Sequence, residues 1–160
     1  MKQVLIRGES VCKTFSGSGN SVQILQSIDV EIYAGDFTII MGDSGAGKST
    51  LLYALSGMDK ITGGEIWYRD QEISHLPEKS LAKLRAAEFG FVFQQTHLVS
   101  NLTLFENVAV AGYIGNAGHL KEVQKKALLL LEKMHVADAR NRLPSQVSAA
   151  KHSGLPLQER

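Results

Sequence analysis

Residues 42–50 read GDSGAGKST. Gly42, Gly47, Lys48 and Ser49 fall on the pattern G-x-x-x-x-G-K-[ST], the signature of a loop that cradles phosphate. Glycines are needed because the backbone N–H groups must curl around phosphate oxygens without a Cβ in the way. A helix that starts where the loop ends points its positive end at the same anion. In that arrangement Lys48 reaches the β- and γ-phosphates and the Ser49 hydroxyl ligates Mg²⁺. Gly42, Asp43, Ser44, Gly45, Ala46, Gly47 and Thr50 complete the expected nucleotide-binding loop. A dinucleotide-binding reading of Gly45-Ala46-Gly47 does not hold, because Thr50 stands where that fingerprint wants Gly or Ala.

The flanks supply the context such a loop requires. Phe37 to Met41 is an apolar run bounded by glycines, which predicts a buried strand. Ser49 to Leu55 is compatible with a helix, interrupted at Gly57. Upstream, Ile28, Val30 and Ile32 alternate with Asp29, Glu31 and Tyr33, the period of a half-buried strand. Ala34-Gly35-Asp36 reads as a turn, and Ser16 to Ser21 (SGSGNS) as a flexible loop between two early strands. Downstream, Gly63-Gly64 reads as a turn leading into a strand, EIWYRD. Pro77 followed by EKSLAKLRAAE has the composition of a helix with proline in its first turn. Phe89 to Phe93 returns to strand, and Leu120, Val123, Ala127, Leu130 and Met134 make one helical stripe. The order is mixed α and β, with no internal repeat.

The totals narrow the setting. A chain of 160 residues is one domain's worth. Its 17 Lys and Arg against 16 Asp and Glu leave a formal charge of +1, which gives no nucleic-acid footprint. Cys12 is the single cysteine and no Cys/His spacing resembles a zinc site, so a reducing, cytoplasmic setting is the plain expectation. The N-terminus, with Arg7 and Glu9, lacks the layout of a signal peptide. The longest apolar run, Ala127 to Leu131, falls far below the ~20 residues that cross a bilayer, so a membrane role would come through a partner.

GDSGAGKST at 42–50 and FGFVFQQTHLVSNLTLFENV at 89–108 together resemble an ABC-transporter ATPase domain, most closely the subunits of lipoprotein release and of macrolide or antimicrobial-peptide export. The resemblance runs from about Val4 to Ser148. It implies an α/β P-loop NTPase fold of ABC type: an N-terminal β-subdomain, the P-loop core and part of the helical subdomain. It also implies ATP and Mg²⁺ as ligands. Gln94 then matches the glutamine that contacts Mg²⁺ and the attacking water and senses the membrane partner. Gln95 beside it is the alternative. Phe15, in CKTF, matches the aromatic residue that stacks on adenine. The implied partners are a transmembrane permease subunit and a second ATPase domain, which place the chain at the cytoplasmic face of the cell membrane.

The family's remaining machinery has no match. Hydrolysis needs a carboxylate to fix Mg²⁺ and a group to position water. The family takes both from four apolar residues followed by Asp-Glu. Leu128 to Leu131 followed by Glu132 is the one lookalike, and it belongs to the helical stripe. No histidine has the family's Thr-His-Asp setting: Thr96-His97 lies in the glutamine loop, and His75, His119, His135 and His152 lack the context. After LPSQV the family reads Ser-Gly-Gly-x-x-Gln-Arg, whereas here Ser148 runs into AAKHSGLPLQER. Those twelve residues can be written in codons that, with one G placed in front, translate as Gly-Gly-Glu-Ala-Gln-Arg-Val-Ala-Ile-Ala-Arg-Ala. The expectation is therefore a single-base deletion after the Ser148 codon. Residues 1–148 would be a truncated ABC ATPase domain, incomplete at its C-terminus, and 149–160 a disordered, unrelated tail. Two other classes stay open: a non-enzymatic ATP-binding module, and a small P-loop kinase or GTPase, against which the missing Asn-Lys-x-Asp counts.

Overall fold

The computed structural model describes residues 2–17, 19–94, 97–113 and 119–147. It divides into two compact units, Met1–Phe91 and Val92–Arg160.

The first unit is built on an antiparallel sheet. Strands β1 (Val4–Ser16) and β2 (Ser21–Tyr33) form a long hairpin, joined by β3 (Gly63–Tyr68) and β4 (Gln71–Glu72) in the order β2-β1-β3-β4. The hairpin closes through the Gly17 N–H, which donates to the Asn20 carbonyl at 3.0 Å. Alternation along β2 follows the sequence: Ile28, Val30 and Ile32 turn inward while Asp29 and Glu31 are exposed. Helices α1 (Lys48–Leu55) and α2 (Glu78–Glu88) belong to the same unit, with Pro77 at the start of α2. Val11, Leu25, Leu55, Ile66 and Ile73 are its fully buried side chains. Each contributes about 1.5–3 kcal/mol by leaving water.

Two of the expected strands do not form. Phe37 to Met41 joins no sheet among the described residues, and Phe37, Ile39 and Met41 are 90%, 66% and 84% exposed. Only Ile40 of this run packs against the core. Phe89 to Phe93 is likewise irregular, with Val92 fully exposed. A strand exists only when a neighbour takes its N–H and C=O groups. No described strand lies beside either run, so their β-forming composition goes unused. The glycine pair also differs: β3 already starts at Gly63, and Gly64, at φ 81°, sits in the register shift between the Glu9–Glu65 and Cys12–Gly63 pairs. A Cβ there would sit 2.3 Å from the Ser10 carbonyl oxygen, so only glycine fits.

The second unit packs α3 (Leu104–Tyr113) against α4 (Leu120–Lys133), followed by a 3₁₀ turn at Ala137–Ala139 and a helical turn over 144–147. The helices approach closely where a Cβ on Gly112 would lie 2.6 Å from Val123 Cγ1. Of the predicted stripe, Ala127 is buried and Val123 half-buried, whereas Leu120, Leu130 and Met134 are exposed. Leu131 takes the buried place one turn on, so the inner face runs through 123, 127 and 131 at a spacing of four. Helix α3 was not predicted, although its signal is present in Thr103-Leu104-Phe105-Glu106. The Glu106 carboxylate accepts from the Thr103 N–H at 2.7 Å, and the Glu106 N–H donates back to the Thr103 hydroxyl at 3.2 Å, a reciprocal capping box. No helix among the described residues is long and apolar enough to cross a membrane.

Candidate nucleotide-binding site

Helix α1 starts at Lys48, directly after Gly47, whose φ of 83° turns the chain into the first helical turn. The Leu51 N–H closes that turn on the Gly47 carbonyl at 2.8 Å. The N–H groups ahead of it have no partner within the helix, and the first turn carries no acidic residue to compete for them. Gly42 and Gly45 also hold positive φ, at 152° and 84°, so the loop doubles back ahead of the helix. Asp43, Ser44, Gly45, Ala46 and Ser49 are exposed, and Thr50 is half-buried.

The hairpin shapes the loop from behind. Between the Lys13–Leu25 and Thr14–Gln23 pairs, β2 advances two residues for one on β1, which makes Ile24 the extra residue of a β-bulge. A Cβ on Gly47 would lie 2.7 Å from Ile24 Cγ2 and 3.3 Å from the Ile24 carbonyl oxygen. The bulge therefore sets how deeply the loop seats. Nothing in the sequence marked Ile24 for this part.

Lys48 Nζ folds back over the loop and donates to the carbonyls of Gly42 and Asp43, at 2.9 and 2.6 Å. The ammonium is thus held inside the curve of the loop, where an anion would meet it together with the free N–H groups. Two carbonyls are weaker partners for an ammonium than a phosphate oxygen. The residues present fit a nucleotide phosphate: glycines at positive φ that let the loop curl, a helix N-terminus and an ammonium held against the loop. Ser49, exposed in the first turn, is placed for a metal ion held against that phosphate.

Phe15 pairs with Val22 near the hairpin tip, two residues along β2 from Ile24. At ~3.3 Å per residue the backbone of the Phe15–Val22 pair lies roughly 7 Å along the strand from the bulge that backs Gly47. It is 47% exposed, and Lys13 Nζ lies 4.8 Å from its centroid. Gln94 is exposed in an irregular bend of the second unit, and Gln95 lies outside the described residues. Leu128 to Glu132 are helical, as the stripe predicts. His97 stacks edge-on against Phe93 at 5.0 Å, His75 and His119 pair with Glu72 and Glu122, and His135 follows α4. His152 and Thr96 are outside the described residues. A concavity of about 640 Å³ lies between α3 and α4 and is lined by Gly112, His119, Glu122, Val123, Lys126 and Leu130.

A glycine loop seated on a strand bulge and running into a helix N-terminus, with a lysine folded into it, defines a P-loop nucleotide-binding protein. The profile of the ABC transporter family matches residues 25–156, and the chain belongs to that family. It is 37% identical over 148 residues to the lipoprotein-releasing system ATP-binding protein LolD of Wigglesworthia glossinidia brevipalpis, covering 92% of this chain and 64% of that protein. It is 39% identical over 157 residues to the macrolide export ATP-binding/permease protein MacB of Wolinella succinogenes, covering 98% of this chain and 24% of that one. Among solved structures, the ATP-binding cassette MJ0796 in a dimeric post-hydrolysis state with ADP and Pi superposes with a TM-score of 0.81 at 32% identity, over 89% of this chain and 62% of that chain. The chain thus spans under two thirds of these relatives.

Proposed function

We propose that this chain is the ATP-binding part of an ABC exporter, holding MgATP in the loop 42–50 to power transport through a separate membrane subunit at the cytoplasmic face. The observation that carries this reading is the Lys48 ammonium held within a glycine loop at the start of α1. Gly42 to Gly47 offer backbone N–H groups to the phosphates, Lys48 the charge between β and γ, and Ser49 a hydroxyl to Mg²⁺. Mg²⁺ supplies charge neutralisation on the phosphate oxygens. Phe15 stacks on the base. Gln94, or Gln95, reports the γ-phosphate end to the membrane partner.

For residues 1–160 the proposal is binding without turnover. Its sequence holds no Asp-Glu after four apolar residues, no Thr-His-Asp and no intact signature motif. In the family each ATP is closed between one P-loop and the partner's signature, so two copies of this chain form no composite site. The chain contributes at most the P-loop half of a site to an intact partner. The single-base deletion after the Ser148 codon belongs to the same proposal. It rests on codon arithmetic alone, since the family match extends to residue 156 and the residues after Val147 lie outside those described.

Isothermal titration with MgATP tests the reading. Saturable one-site binding that Lys48→Ala abolishes supports it, and no heat at millimolar ATP contradicts it. A cradle without catalytic carboxylates also suits a non-enzymatic ATP-binding module. Binding by a monomer that stimulates no partner ATPase favours that second reading.

A further inference from the structure

Lys13 is a charged residue with only 8% of its surface exposed, and the phosphate site does not use it. Its ammonium has three neighbours. It donates to Asp59 Oδ1 at 2.6 Å and to the Lys60 carbonyl at 2.5 Å, and it lies 4.8 Å from the Phe15 ring centroid. Asp59 and Lys60 belong to the segment that follows α1. That segment is fixed at one end by the Asp59 N–H, which donates to the Tyr53 carbonyl in α1 at 3.2 Å. At the other end it is sewn to β1: the Thr62 N–H donates to the Cys12 carbonyl at 2.8 Å, and the Thr62 hydroxyl accepts from the Thr14 N–H at 3.1 Å.

A burial this deep costs a lone ammonium heavily, so a lysine at this place is held by its partners. The aspartate and carbonyl satisfy two of its three donors. The third direction faces the aromatic ring, where the negative π face attracts a cation. One face of Phe15 is consequently covered, while the ring as a whole stays half exposed. The covering group is tethered to the helix that begins at the phosphate loop.

We propose that Lys13 is a positioning residue for the nucleotide base, holding the Phe15 ring with one face against its ammonium and the other open to a purine. The Asp59 link fixes the distance from that ring to the phosphate loop. This rests on the reading of 42–50 as an ATP site and adds a residue to it. The consequence is selective: Lys13 matters to ligands that carry a base and not to the triphosphate alone.

The test compares affinities of the full chain for MgATP and for magnesium tripolyphosphate, which has the phosphates and no base. Lys13→Met is expected to weaken MgATP about five- to thirtyfold, the span from an exposed to a desolvated cation–π contact, and to leave tripolyphosphate within about twofold. Phe15→Ala gives the same pattern, and adding Lys13→Met to it costs little more. Lys13→Arg, which keeps a cation on the ring and a donor to Asp59, restores most of the ATP affinity. Equal weakening of both ligands would overturn the proposal, because it makes Lys13 a general support of α1. Unchanged ATP binding overturns it too. Should Lys13→Met lose its folded circular-dichroism signal, Asp59→Ala must produce the selective loss instead, and a non-selective result there overturns the proposal equally. A wild-type chain that binds tripolyphosphate but prefers ATP no more than its Phe15→Ala variant removes the base-positioning role alone. One that binds neither ligand removes the ATP site along with it.

Discussion

Replacing Gly47 by alanine tests the seat of the phosphate loop. Two costs add. At φ 83° an alanine occupies the left-handed region, which disfavours a Cβ by about 1–2 kcal/mol. The new Cβ also lies 2.7 Å from Ile24 Cγ2 and 3.3 Å from both the Ile24 oxygen and Leu25 Cδ2. Overpacking of this kind costs about 1–3 kcal/mol. The sum is roughly 2–5 kcal/mol, read as a lowered urea midpoint by the fluorescence of the single tryptophan, Trp67. Ile24→Ala removes the atom in closest contact, so in the double variant the overpacking part is relieved and the conformational part stays. The double-mutant cycle should therefore show about 1–3 kcal/mol of favourable coupling. MgATP affinity follows the same order: wild type, double variant, Gly47→Ala. An additive cycle, or Gly47→Ala with an unchanged midpoint, would refute the seating of the loop on the bulge.

Gly64→Ala should be more damaging than Gly47→Ala, because its Cβ meets the backbone of Ser10 at 2.3 Å and no side chain can move aside; loss of soluble, cooperatively unfolding protein is the expected readout. Thr103→Ala should loosen α3 by about 1 kcal/mol, the usual worth of an N-cap, seen as faster amide exchange over 104–113. The Glu106 carboxyl lies below its ordinary 4.5 because the Thr103 N–H and then its hydroxyl favour the ionised form. A depressed folded value adds stability above the unfolded value and loses it as pH falls through the folded one. Exchange protection of α3 should therefore decline on acidification below about 4.5 in the wild type, and that acid dependence should flatten in Glu106→Gln. ATP turnover by the chain should stay at the buffer background, and a gene in which one added base after the Ser148 codon restores the signature should encode a cassette that hydrolyses.

The phosphate loop was legible because its chemistry is local: three glycines, a lysine and a serine within eight residues fix both the turn and the ligand. The second hairpin strand and α1, α2 and α4 were legible from period, composition and turn residues. Phe37 to Met41 and Phe89 to Phe93 were misread for a reason that composition cannot reveal. Their residues suit a buried strand, and a strand needs partners that no described residue provides. Ile24 was invisible because a bulge is a property of register between two strands. Lys13 reads on the sequence as an ordinary solvated charge; its burial depends on Asp59, 46 residues away. Helix α3, by contrast, was legible in the capping box at Thr103 and Glu106 and was missed, because apolar spacing alone does not carry that signal.

The most direct test of the central claim is a set of backbone amide spectra of the ¹⁵N-labelled chain with and without MgATP. The largest shifts are expected at Gly45, Gly47, Lys48, Ser49 and Thr50, with a smaller ring-current shift around Phe15, and none of these in Lys48→Ala. Unshifted loop amides at saturating MgATP, or shifts confined to residues outside 42–50 and the hairpin tip, would contradict it.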